Sequence, residues 1–98
     1  MKDHSMASCP TAKAAALLSD VWTMLMLRDL MKRSMRFCDL HESLEGISTR
    51  TLTLKLQKLE KDGVITKKDQ AYSITKKGQN LAAIFAEMAK YGKKYLAK

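Results

Sequence analysis

Residues that build specialised frameworks are scarce in this chain: two cysteines, one proline and four glycines in 98 residues. Two cysteines cannot form a dense disulfide framework, and such sparse usage fits a reducing cytoplasm. No Cys-x-x-Cys pair occurs, and the spacings among His4, Cys9, Cys38 and His41 match no standard zinc site. Neither a metal nor a cofactor is therefore expected. No run approaches the roughly 20 apolar residues that span a bilayer, so no membrane role is expected. The first ten residues, MKDHSMASCP, lack the apolar stretch of a secretory signal. Gly46, Gly63, Gly78 and Gly92 all fall at turn or helix-end positions, which leaves no glycine-rich cradle for phosphates. No Ser-His-Asp set and no paired carboxylates in an apolar context appear, so no catalytic residue is expected. These absences exclude a secreted disulfide scaffold, a membrane protein and a large multidomain enzyme.

What the chain does have is charge and apolar periodicity. Its length suits one domain with one core, and its hydrophobic fraction of 46% is ordinary for a folded protein. The formal net charge is +8, which makes a polyanion the leading partner. That charge is unevenly placed: residues 1–31 are neutral, residues 32–77 carry +5 and residues 78–98 carry +3. No internal repeat, linker or second domain interrupts residues 1–98.

Residues 1–9 are polar and read as a frayed tail. Pro10 suits the first turn of a helix, and the run Thr11 to Leu18 is rich in strong helix formers. Ser19 or Asp20 can cap the next helix, Val21 to Met31, which is apolar on nearly every side. Trp22 in it reads as a core or dimer-interface anchor. A short helix follows from Arg36 to Leu44, with Phe37, Leu40 and Leu44 at the spacing of an inward face. Gly46 supplies a tight turn, and Ser48 caps a helix reaching Lys61 with Leu52, Leu56 and Leu59 on one side. Two β-prone runs, Val64 to Lys67 and Tyr72 to Thr75, form a small hairpin. Residues 76–95 repeat apolar residues at helical spacing and read as one C-terminal helix.

A short helix, a glycine turn and a second helix opening on serine form a helix-turn-helix, and the hairpin after it makes a winged version. The fold class is therefore mainly α with a small β-hairpin wing. Opposite its leucines, the second helix presents Arg50, Thr53, Leu54, Gln57 and Lys61. Arg and Gln carry paired groups that match guanine and adenine edges, and Thr53 and Leu54 suit thymine methyl groups. Lys55, Lys58 and Arg36 flank this face and suit phosphates. Ser48 and Thr49 at the helix start complete the set, and Lys67 and Lys68 near the hairpin tip suit the adjacent backbone or the minor groove. A surface helix with leucines inside and Lys, Arg and Gln outside is also what mere solvation produces. Two other classes therefore stay open: a winged-helix protein-interaction module and a non-specific nucleic-acid-binding protein.

In order along the chain come Cys9-Pro10, Trp22-Thr23, Leu27-Arg28-Asp29-Leu30 and Arg36-Phe37-Cys38-Asp39-Leu40. Gly46-Ile47-Ser48, Leu52-Thr53, Asp62-Gly63-Val64-Ile65, Tyr72-Ser73-Ile74-Thr75 with Gly78, and Tyr91-Gly92 follow. Over residues 9–95 this series resembles the HxlR-type winged helix-turn-helix transcriptional regulators, relatives of the MarR group. The resemblance implies a homodimer built through the N- and C-terminal helices, with residues 48–61 as recognition helix on double-stranded DNA. It also implies a pseudo-palindromic operator, regulation of nearby genes and, in some members, a small-molecule effector. Cys9 occupies the place of a cysteine that senses oxidants or electrophiles in several such regulators. A thiol at a helix start lies at the positive end of the helix dipole, a setting that favours reactivity; the alternative is an inert thiol. Cys38 reads as a packed or half-exposed structural residue. Two departures stand out: the hairpin tip is shorter than the family's, and Leu54 replaces a residue that is usually polar.

Overall fold

The computed structural model describes residues 9–97. Apart from Cys9, the tail expected over residues 1–9 lies outside them. Helix α1 (Pro10–Leu17) opens with its proline in the first turn, where the missing N–H costs nothing. Helix α2 (Val21–Lys32) is capped by Asp20, whose carboxylate accepts from the Thr23 amide at 2.8 Å. A two-residue strand, β1 (Met35–Arg36), leads into α3 (Phe37–Ser43). The Asp39 carboxylate accepts from the Arg36 amide at 3.1 Å and closes the start of α3. Gly46 then takes a φ of +96°, which a side chain would strain, and the chain reverses into α4 (Thr49–Lys61). Strands β2 (Ile65–Lys68) and β3 (Ala71–Ile74) follow, then a single turn, α5 (Lys76–Gln79), and α6 (Ala82–Tyr91). A π-helical turn over Gly92–Leu96 continues α6.

The core lies where α2, α3, α4 and the sheet converge. Met26, Leu27 and Leu30 of α2 meet Leu40 and Leu44, the α4 trio Leu52, Leu56 and Leu59, and Val64, Ile65 and Tyr72 of the wing. All three leucines at the spacing read from the sequence are buried, which fixes which side of α4 faces outward. A buried carboxylate adds a directional tie: Asp29 of α2 accepts from the Ser43 hydroxyl at the end of α3 at 2.6 Å, and from Arg28 at 3.1 Å. This holds the first helix of the helix-turn-helix against the body of the domain.

Three features differ from the sequence reading. The sheet has a third strand, in antiparallel order β1-β3-β2, with Met35 opposite Tyr72 and Ile65 opposite Ile74. The hairpin turn is only Asp69-Gln70, both at positive φ (52° and 70°), so the strands run to Lys68 and Ala71. The wing is accordingly stubby. The helix expected over residues 76–95 is broken between Gln79 and Ala82.

That break has a packing cause. The Thr75 hydroxyl caps α5 and donates to the Gly63 carbonyl at 2.6 Å, drawing α5 onto the base of the wing. Gly78 is buried there, and a Cβ on it would lie 2.3 Å from the Val64 carbonyl oxygen. Gly78→Ala is expected to cost about 1–3 kcal/mol through overpacking. Thermal unfolding should show this as a drop of roughly 4–8 °C per kcal/mol; an unchanged midpoint would mean that α5 moves aside freely.

Candidate nucleic-acid interface

Helix α4 is amphipathic in the way a groove-reading helix must be. Ser48 caps it: its hydroxyl oxygen accepts from the Thr51 amide at 3.0 Å and its hydroxyl lies 2.9 Å from that of Thr51. The Ser48 side chain is thus engaged in building the helix start. Thr49, Arg50, Thr53, Leu54 and Gln57 are all exposed. Arg50, Thr53, Leu54 and Gln57 follow i, i+3, i+4, i+7 spacing and so share one face. Among the described residues, no hydrogen bond ties down the side chains of Arg50 or Gln57, leaving their paired donors and acceptors for an outside partner. Leu54 is 52% exposed on that same face.

The basic residues around this face are not equivalent. Arg36 is exposed at the junction of β1 and α3, and Lys68 is exposed at the end of β2 beside the turn. Lys67 sits with its ammonium 5.4 Å from the centre of the Tyr72 ring, a cation–π contact that folds it along the sheet. Lys58 is mostly exposed but is paired with Asp62 at 2.9 Å. Lys55 differs from its sequence reading as a phosphate partner. Its ammonium is half-buried and held by the Asp20 carboxylate at 2.9 Å.

Asp20 titrates differently from an ordinary aspartate. Partial burial works to raise its carboxyl, but the hydrogen bonds from Lys55 and Thr23 outweigh that and hold it below the usual 3.8. A lowered carboxyl favours the folded state fully above 3.8 and loses that contribution as pH falls through the lowered value.

Helix α1 and the flank of α4 enclose a groove of about 920 Å³. Leu17, Leu54 and Val64 give it apolar walls, and Lys13 and Lys77 stand at its rim. Trp22 does not line it; the indole lies instead near the helix-turn-helix turn, 4.0 Å from where a Cβ on Gly46 would sit.

Cys9 is the exposed N-cap residue of α1. Cys38 is exposed too, rather than packed or half-exposed, because α3 turns Leu40 and not Cys38 to the core. Among the described residues, no three His, Cys, Asp or Glu side chains gather as a metal site would require. No described helix is long and apolar enough to cross a membrane.

A second surface lies on α6, and no single residue in the sequence signals it. Leu81 and Phe85 pack on the core, while Ile84, Met88 and Tyr91 form an exposed apolar stripe at helical spacing. Tyr95 and Leu96 beyond it are also exposed. Helix α1 likewise buries no residue completely. Ile84, Met88 and Tyr91 make the α6 stripe a candidate contact surface.

The HxlR-like helix-turn-helix family profile matches residues 17–98. The chain is 35% identical over 95 residues to an HTH-type transcriptional regulator of Synechocystis, spanning 90% of this chain and 70% of that one. Its fold is similar to that of quinone-bound YodB from Bacillus subtilis, with a TM-score of 0.83 and 31% identity over 89% of this chain and all of the other. The reduced form of the redox regulator HypR is similar as well, with a TM-score of 0.82 and 25% identity over 88% of this chain and 92% of that one. The capped α4 after its glycine turn, the short wing and these matches agree, and the chain belongs to the HxlR-like helix-turn-helix family of transcriptional regulators.

Proposed function

We propose that the protein is a sequence-specific regulator that binds double-stranded DNA in the cytoplasm, with α4 in the major groove. One observation carries this reading: Arg50, Thr53, Leu54 and Gln57 are exposed together, on the side of α4 opposite three fully buried leucines. A helix seated on its leucine side presents the opposite side chains together on one outward face, as base reading requires. Thr49, at the helix start, and Arg36, Lys58, Lys67 and Lys68 supply phosphate contacts around it, Lys58 by exchanging Asp62 for a phosphate oxygen. Ser48 contributes by capping α4, and its amide lies at the positive helix end where phosphates bind.

The partner in this reading is a second copy of the chain, joined through α1 and the apolar stripe of α6. A two-fold dimer sets its recognition helices about 34 Å apart, one DNA turn, and so reads a pseudo-palindrome. Selecting bound sites from a pool of random duplexes tests this directly. The expected product is an inverted repeat with half-sites one turn apart; a pool without enrichment would overturn sequence-specific reading.

Cys9 is the candidate sensor. It is exposed at the start of α1, and the similar structures include a quinone-bound regulator and a redox regulator. Quinone treatment is expected to change operator affinity by roughly five- to 150-fold, the usual range of allosteric coupling. Gel-shift titration should find that response abolished in Cys9→Ser, with untreated binding intact. A response that persists in Cys9→Ser would assign it elsewhere, with Cys38 as the other exposed described thiol.

A further inference from the structure

Four ion pairs occur among the described residues, and three of them join neighbours no more than four positions apart. The fourth, Lys55 to Asp20, spans 35 positions and connects α4 to the corner between α1 and α2. Its carboxylate is already fixed before the lysine reaches it. One oxygen accepts from the Thr23 amide at 2.8 Å, and the other from the Thr23 hydroxyl at 3.0 Å as well as from Lys55 at 2.9 Å. Thr23 is itself buried in the side of α2. Of the other lysines lining the same groove, Lys58 is held by the Asp62 carboxylate and Lys77 by the Asp62 carbonyl, and Lys13 makes no ion pair with Asp20.

This matters because apolar burial is non-directional. Leu52, Leu56 and Leu59 hold α4 onto the core, but a row of leucines resists rolling about the helix axis only weakly. A helix with side chains is about 10–12 Å across, so a roll of about 10° moves a side-chain tip by about 1 Å. Recognition demands tighter placement than that. A lysine fixed at one flank of α4, opposite an anchored carboxylate, supplies the missing constraint on roll.

We propose that Asp20 is a positioning residue for base reading, acting through Lys55 to set the roll of α4 on the core. This rests on α4 being the recognition helix. Asp20→Asn keeps a good N-cap for α2 while removing the charge, and Lys55→Met removes the other partner. The measurement is the ratio of affinity for a selected operator to affinity for a random duplex, in both variants and in the double variant. Each single variant is expected to lower that ratio about two- to fivefold, the range for a partly exposed pair. The double variant should fall no further, random-duplex affinity should hold, and Lys55→Arg should keep the wild-type ratio. An unchanged ratio in Asp20→Asn, or losses that multiply in the double variant, would overturn the proposal, whatever happens to the melting temperature. Amide chemical shifts read the seat of α4 without DNA. The same residues between Arg50 and Gln57 should move in Asp20→Asn and Lys55→Met. Unmoved α4 resonances would overturn the proposal, whereas moved resonances in a protein that binds no DNA would overturn the DNA reading alone.

Discussion

Met88→Asp is expected to convert the protein from dimer to monomer and to reduce operator affinity by at least about 100-fold. Met88 lies at the middle of the exposed stripe formed with Ile84 and Tyr91. Should a second copy cover that stripe, the aspartate would be buried against apolar side chains without a partner. An uncompensated buried charge costs several kcal/mol, and each 1.4 kcal/mol is about tenfold in the association constant. The monomer then holds one half-site only, and the gain from tethering two reading heads, about 10²–10⁴-fold, is lost. Sedimentation at micromolar concentration reads the first effect and gel-shift titration the second. Because Met88 is already 45% exposed in the single chain, the monomer should keep its helical circular-dichroism spectrum, although it melts lower once the dimer's contribution is lost. A Met88→Asp protein that stays dimeric would place the interface elsewhere.

Arg50→Ala and Gln57→Ala should be nearly as damaging, but selectively so. A bidentate base contact contributes about 1–3 kcal/mol, and a symmetric dimer loses it at both half-sites. Each variant is therefore expected to weaken operator binding by roughly 30- to 10⁴-fold while leaving random-duplex affinity within a few fold. Both side chains are exposed and outside the core, so the melting temperature should not move. Preference at one base pair of each half-site should relax, and the position that relaxes identifies the base each residue reads. Equal weakening on all sequences would instead point to a non-specific nucleic-acid-binding protein.

The helix-turn-helix was the most legible part of the chain. Ser48 before a leucine repeat announced both the start of α4 and its inward side, and the structure has the cap and all three buried leucines. Local chemistry decides those features, so local sequence reveals them. The wing was legible in outline only. Asp69-Gln70 lacks the Asn-Gly or Asp-Gly signature of a two-residue turn, and positive φ at both positions comes from strand pairing on either side. Strand β1 is two residues long, too short for any alternation, and exists because β3 offers it an edge.

The break before α6 was hidden for a similar reason. The apolar repeat begins at Leu81, and reading it back over residues 76–80, which carry no apolar side chain, missed the close packing of Gly78 on the Val64 carbonyl. Lys55 shows the same limit at the candidate site. Its position on a basic helix suggested a phosphate contact, while its partner Asp20 lies 35 positions away, beyond any i, i+4 pattern. Charge counted along a sequence does not reveal which charges are already paired.

The most direct test of the account is a titration of the protein with its selected operator and with a random duplex across a range of salt concentrations. Binding to both duplexes should weaken with salt, with a log–log slope near −0.9 for each phosphate contacted. The operator should be preferred by at least about 10³-fold. No binding to either duplex at low salt, or equal affinity for the two, would contradict the account.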